Sequence, residues 1–189
     1  GKYLRAPDIY WSILEQAGDR LVKLGDIAEV RFGIKTGCNE FFYLPSKHFA
    51  LRDEGRKFAL VPKNGSCPTD MLIEKEYLSP IIFSLRELEQ IKDDLSGVDR
   101  FVLLCHDDRG DLATTAVSQY IEWGEQKGFN TRRTCSARDP WYSLAEGWQP
   151  APFIFPAKVG QRMLVLENYQ NVLEDKKLYG VTPQGEPNT

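Results

Sequence analysis

Hydrophobic and polar positions in this chain fall into short blocks with changing rhythm. In residues 7–17, PDIYWSILEQA, Ile9, Ile13 and Leu14 recur at helical spacing. Pro7 suits the first turn of a helix and Asp8 its positive end. Gly18-Asp19 closes that helix. Residues 21–24 predict a short strand, 25–28 a turn, and 29–32 a second strand with alternating faces. A loop over 33–39 follows. The β-prone return over 41–44 predicts that this loop is the tip of a hairpin. Further on, 58–61 reads as a strand, 85–95 as a charged amphipathic helix, and 100–105 as a buried strand with a continuous apolar run. Residues 114–127 predict a helix carrying Val117, Tyr120 and Ile121 inward and ended by Gly128. Residues 152–155 and 162–166 read as strands around a Lys-Val-Gly turn. The mixture predicts an α+β fold, with short-stranded mixed sheets and a few packed helices, rather than regular βαβ winding.

Composition narrows this picture. A chain of 189 residues with 42% hydrophobic content can bury one substantial core. No apolar run reaches the length of a membrane span. The chain starts Gly-Lys-Tyr, without Met or a signal pattern, and ends in a polar, proline-containing run. It therefore reads as a piece of a longer polypeptide: residues 1–20 as a linker helix, residues 21–189 as a domain cut short at its C-terminal end. Cys38, Cys67, Cys105 and Cys135 are widely spaced, and His48 and His106 are the only histidines. Zinc sites need ligands in tight local pairs, so reduced thiols of a cytoplasmic protein are the expectation.

Charge is distributed unevenly around a net value of -3. Residues 64–130 carry thirteen acids against six bases. Residues 20–63 carry nine bases against five acids, and residues 131–163 five against two. Two basic segments thus flank an acidic middle. If they meet in space, they form one positive face.

Gly33-Ile-Lys-Thr-Gly37 resembles a phosphate loop only superficially. A Walker A loop places Lys and Ser/Thr after its second glycine, at the head of a helix. Here Lys35 and Thr36 lie between the glycines. Lys35 offers a point charge, Thr36 a hydroxyl and Asn39 a donor–acceptor pair, a set suited to DNA phosphates and base edges. A plain surface turn is the competing reading. Arg132, Arg133 and Arg138 precede Trp141 and Tyr142 in a basic stretch with interleaved aromatics. Asp139-Pro-Trp-Tyr142 invites comparison with the Asp/Asn-Pro-Pro-Tyr loop of amino-group methyltransferases. It has Trp141 in place of the second proline, and no glycine-rich turn precedes it, so it is not read as catalytic. Cys105-His106 adjoins carboxylates but reads as a strand end and polar turn, because neighbouring strand residues face opposite ways. Glu122 and Glu125 read as a solvated helix face.

The order of motifs carries a resemblance. Tyr3-Leu-Arg-Ala-Pro-Asp8, Leu24-Gly-Asp-Ile-Ala28 and Gly33-Ile-Lys-Thr-Gly-Cys-Asn39 come first. Tyr120-Ile-Glu-Trp-Gly-Glu125, Arg138-Asp-Pro-Trp-Tyr142, Pro156-Ala-Lys158 and Lys177-Leu-Tyr-Gly180 follow. This series resembles the C-terminal target recognition region of bacterial N6-adenine DNA methyltransferases, the TaqI-type and bifunctional type II restriction-modification enzymes. The resemblance implies a cytoplasmic module that reads double-stranded DNA while adenine is flipped out for a separate catalytic domain. That upstream methyltransferase domain of the same polypeptide would bind S-adenosylmethionine, and the parent enzyme could also cut DNA. Within this chain no catalytic residue, cofactor or metal is expected. Lys35, Thr36, Asn39, Arg132, Arg133, Arg138, Lys158 and Arg162 would line the DNA cleft, and Arg5 and Trp11 would belong to the linker. The alternative is a protein-interaction module of a restriction or phage-defence complex, its acidic middle serving as a docking face. A free-standing hydrolase using Cys105 and His106 is the third reading.

Overall fold

A computed structural model describes residues 6–85, 98–159 and 164–185. The helix expected at the N-terminus is α1, Asp8–Ala17, and none of its residues is buried. The strand expected over 21–24 does not form. Leu24–Ile27 is instead one helical turn, α2, closed by the Ala28 amide on the Leu24 carbonyl, and Leu21 and Val22 stay exposed. Strand β1, Ala28–Phe32, follows as expected.

The hairpin does not form either. Asn39–Phe42 is a helical turn, α3, and only Tyr43–Leu44 extends into a strand, β2. Phe41 and Phe42 are both fully buried. A strand would send consecutive side chains to opposite faces, whereas a helical turn puts both rings in the core. β1 pairs instead with residues 179–183, far along the chain: Ala28 lies opposite Pro183 and Phe32 opposite Tyr179.

The remaining strands are β3 (Phe49–Glu54), β4 (Lys57–Pro62), β5 (Met71–Glu74), β6 (Leu78–Ile82), β7 (Phe101–Leu103), β8 (Phe153–Pro156), β9 (Leu166–Glu167), β10 (Leu173–Glu174) and β11 (Leu178–Pro183). Among the described residues the strands form three sheets: β1-β11-β8-β9, β10-β6-β7-β2 and β3-β4-β5. Every pairing is antiparallel except β10 with β6. The α+β layout is as the sequence predicts. The helix expected over 85–95 lies outside the described residues apart from Leu85, and of the strand expected over 162–166 only Leu166 is in β9.

Helix α4, Val117–Gln126, buries Val117, Tyr120, Ile121 and Trp123, and Gly128 ends it with φ of 74°. Glu74 caps its start: its carboxylate accepts the Ala116 and Val117 amides at 2.7 and 3.0 Å and pairs with Lys57 at 2.9 Å. Burial opposes the Glu74 charge, but the Ala116 amide and Lys57 outweigh it and hold the carboxyl below its ordinary value. Phe41 lies flat on Tyr120 with centroids 4.9 Å apart, and the Tyr120 hydroxyl donates to the Phe41 carbonyl at 2.6 Å. Gly124 permits that stack, because an added Cβ would sit 2.6 Å from the Phe41 ring. Each such aromatic contributes about 1.5–3 kcal/mol by burial. The turn carrying Asn39 is thus anchored from below.

Candidate nucleic-acid interface

The loop over 33–39 exposes Lys35 and Asn39 and is fixed along its backbone. The Gly33 amide donates to the Leu178 carbonyl at 3.1 Å and the Ile34 amide to Glu174 at 2.7 Å. The Ile34 carbonyl accepts the Lys176 amide at 3.0 Å. Gly33 is required there, since a Cβ would fall on the carbonyl oxygens of Glu174 and Asp175. Gly37 has φ of 75° and packs against the Thr134 side chain.

That contact joins the two basic segments. Arg138 Nη2 donates to the carbonyls of Lys35 and Thr36 at 3.2 and 2.8 Å, and its guanidinium lies 5.5 Å from the Phe42 ring centre. The thiols of Cys38 and Cys135, both buried, meet between the segments. Burial pushes both thiols above their ordinary values, which leaves them weak nucleophiles. Arg132 pairs with Glu40 at 2.8 Å, and Lys47 takes the other Glu40 oxygen at 2.9 Å. These bonds to Lys47 and Arg132 hold the Glu40 carboxyl below its usual value.

The expected residues therefore divide. Lys35 and Arg133 are exposed, with no side-chain hydrogen bond or ion pair among the described residues. Arg132 is exposed but paired. Thr36 is buried, and its hydroxyl donates to the Asn39 side-chain oxygen and accepts the Cys38 amide at 3.2 Å. It shapes the loop, and Asn39 itself stays exposed. Arg138 is half-buried and serves as the strap. Lys158 is exposed just beyond β8, where the Ala157 amide meets the Lys177 carbonyl at 2.8 Å. Arg162 lies outside the described residues, as does Arg5.

Sequence reasoning missed the segment beneath the loop. Glu174 and Asp175 are almost wholly buried. Asp175 accepts the Tyr43 hydroxyl at 2.6 Å and the Lys177 amide at 3.0 Å. Glu174 has Arg31 at 3.6 Å, and burial raises its pKa despite that partner. Lys176, beside them, is exposed next to Lys35. The only signal for this was the charged run Glu-Asp-Lys-Lys between apolar residues.

The other candidate motifs pack inward. Trp141 donates to Glu125 at 3.0 Å and rests on Phe41 with centroids 4.6 Å apart. The buried Tyr142 donates to the Asp107 carbonyl at 2.9 Å. Cys105 is buried and its thiol is pushed up to about 11, while His106 Nδ1 lies 2.9 Å from Ser143. Glu125 is engaged by Arg109 as well as Trp141, so only Glu122 fits the solvated face expected of both. Among the described residues no cluster of three or more His, Cys, Asp or Glu could hold a metal ion, and no helix is long and apolar enough to cross a membrane.

The family described as the C-terminal domain of Type II methyltransferase M.Eco57I matches residues 11–188. Type II methyltransferase M.AccI of Acinetobacter calcoaceticus is 29% identical over 157 residues, covering 77% of this chain and 25% of that protein. The chain thus spans about a quarter of the length of that relative.

Proposed function

Because this chain belongs to the family of the M.Eco57I C-terminal domain, we propose that it is the DNA-recognition module of a type II methyltransferase, reading duplex DNA for a linked catalytic domain. One observation carries the reading. Two basic segments about a hundred residues apart in sequence are strapped together by Arg138 on the Lys35 and Thr36 carbonyls. In this reading Lys35, Asn39, Arg132 and Arg133 share one ridge. Lysine and arginine there would neutralise phosphates, and Asn39 presents an amide suited to an adenine edge. In this reading S-adenosylmethionine and adenine-N6 transfer, and any DNA cleavage by the parent, belong to the rest of the polypeptide. This chain orients and clamps the duplex. The exposed apolar side chains of α1, Ile9, Ile13 and Leu14, would cover themselves against that linked domain.

The test is fluorescence anisotropy with a mixed-sequence duplex across a salt series. The chain should bind with a steep salt dependence, and Lys35→Ala/Arg133→Ala should flatten the log–log slope by about 2. Salt-insensitive binding, or a slope the double variant leaves unchanged, would sink the reading. The exposed face of α1 also fits a second reading, an interaction module without DNA contact. That reading predicts no binding to duplex by the chain, even at low salt.

A further inference from the structure

The outer face of the β1-β11-β8 sheet carries a row of aromatic residues that the reading above does not use. Register places Phe32 opposite Tyr179, and Tyr179 opposite Phe155. All three belong to one face of the sheet. Phe32 is 60% exposed, and Tyr179 and Phe155 are half-buried. The Phe32 and Tyr179 rings lie 4.5 Å apart, tilted by 35°. Val30 and Val181 continue the same face behind them.

The same register sets the charge around this row. It lies where β1 ends, β11 begins and β8 ends. The connections leaving that end of the sheet carry Lys35, Lys158 and Lys176, all exposed and without a side-chain partner among the described residues. Lys177 is directed elsewhere, 3.3 Å from the Phe83 ring centre. The two acids of this end, Glu174 and Asp175, are buried beneath. An apolar aromatic surface with cations on the three connections at its end has the chemistry of a base-stacking surface with phosphate contacts at its edge. A protein partner would meet the same aromatics, but three exposed lysines at this end, against the exposed Glu167 that register places opposite Phe153, favour a polyanion.

We infer that Phe32, Tyr179 and Phe155 form a stacking platform for an unpaired nucleobase of DNA, with Lys35, Lys158 and Lys176 holding the flanking phosphates. The inference rests on the DNA reading and deepens it. The ridge of loop 33–39 addresses paired DNA, and the platform beside it takes a base that has left the stack. Every base has a π-face, so the platform discriminates paired from unpaired rather than one base from another.

The test compares three 2-aminopurine-labelled probes on the 189-residue chain: a perfect duplex, the same duplex with 2-aminopurine as a single-base bulge, and the single strand. The bulged duplex should bind more tightly than the perfect one, with quenched fluorescence. Phe32→Leu should weaken the bulged complex by about tenfold and restore the fluorescence, while leaving the perfect duplex unchanged. Phe32→Trp should rescue both. The exposure of Phe32 keeps these variants folded, which circular dichroism checks. Equal affinity for bulged and perfect duplex, insensitive to Phe32→Leu, overturns the platform and leaves the DNA reading standing. Binding to none of the probes at low salt overturns both and assigns the aromatic face to a protein.

Discussion

Helix α1 and the loop over 33–39 are both exposed, yet they are exposed in opposite senses. The loop shows polar side chains on a backbone held by Glu174, Leu178, Lys176 and the Arg138 guanidinium. The helix shows Ile9, Ile13 and Leu14 and buries none of its residues. A polar group displayed from a fixed backbone meets a ligand without first losing chain entropy. An apolar face left in water is stabilised only when something covers it. In the proposed reading, exposure in the loop serves recognition of DNA, and exposure in the helix serves attachment to the linked domain.

Several measurements would break or sharpen that contrast. The largest effect is expected at Gly33→Ala, because the new methyl collides with backbone rather than with a movable side chain. It should cost about 3 kcal/mol or more in urea unfolding. An unchanged midpoint would mean that the loop is not seated as described. Arg138→Ala should cost less, about 1–3 kcal/mol, since it strips donors from two carbonyls. It should also weaken duplex binding without removing a phosphate contact, so affinity falls while the salt slope stays the same.

Glu40→Gln is smaller and acts in the other direction on binding. It releases Arg132 and Lys47 from a shared carboxylate, so duplex affinity at low salt should rise on the order of threefold. Its effect on stability depends on pH. The Glu40 carboxyl is held below its ordinary value in the fold. Its contribution is therefore present above the ordinary carboxylate range and disappears as pH falls through the lowered pKa. Wild type and variant should differ in melting temperature at neutral pH and converge in acid; a constant difference would contradict the pairing. The smallest effect belongs to α1. Ile13→Ser/Leu14→Ser should change the stability of this chain by no more than about 0.5 kcal/mol per site, a null result measured by thermal melting. A large loss would show that the helix is already packed on the domain.

Buried pairings separate what was legible in the sequence from what was not. The helix over 114–127 was legible because Val117, Tyr120 and Ile121 repeat at the helical period, and Gly128 marks its end with a left-handed residue. The continuous apolar run within 100–105 announced a buried strand, and Phe101–Leu103 forms it. Strand β11 was not legible. It holds Gly180 and Pro183, and its case rests on partners at β1 and β8 that local pattern cannot name. The same gap led to the expected hairpin over 29–44. Two adjacent phenylalanines look β-prone, but a core able to take both rings decided for a helical turn.

The candidate interface divides in the same way. The residue types, with lysine, asparagine and arginines in two basic blocks around an acidic middle, were set by the sequence alone, since charge and hydrogen-bonding capacity belong to side chains wherever they lie. Which of them are free to meet a ligand was decided by the tertiary structure. Thr36 turned inward to hold Asn39, Arg138 became the strap between the blocks, and Lys35 and Arg133 were left outward. The physical reason is that a polar side chain satisfies the nearest buried backbone group before it serves solvent or a ligand, and which groups are buried depends on contacts between residues as distant as Ile34 and Asp175.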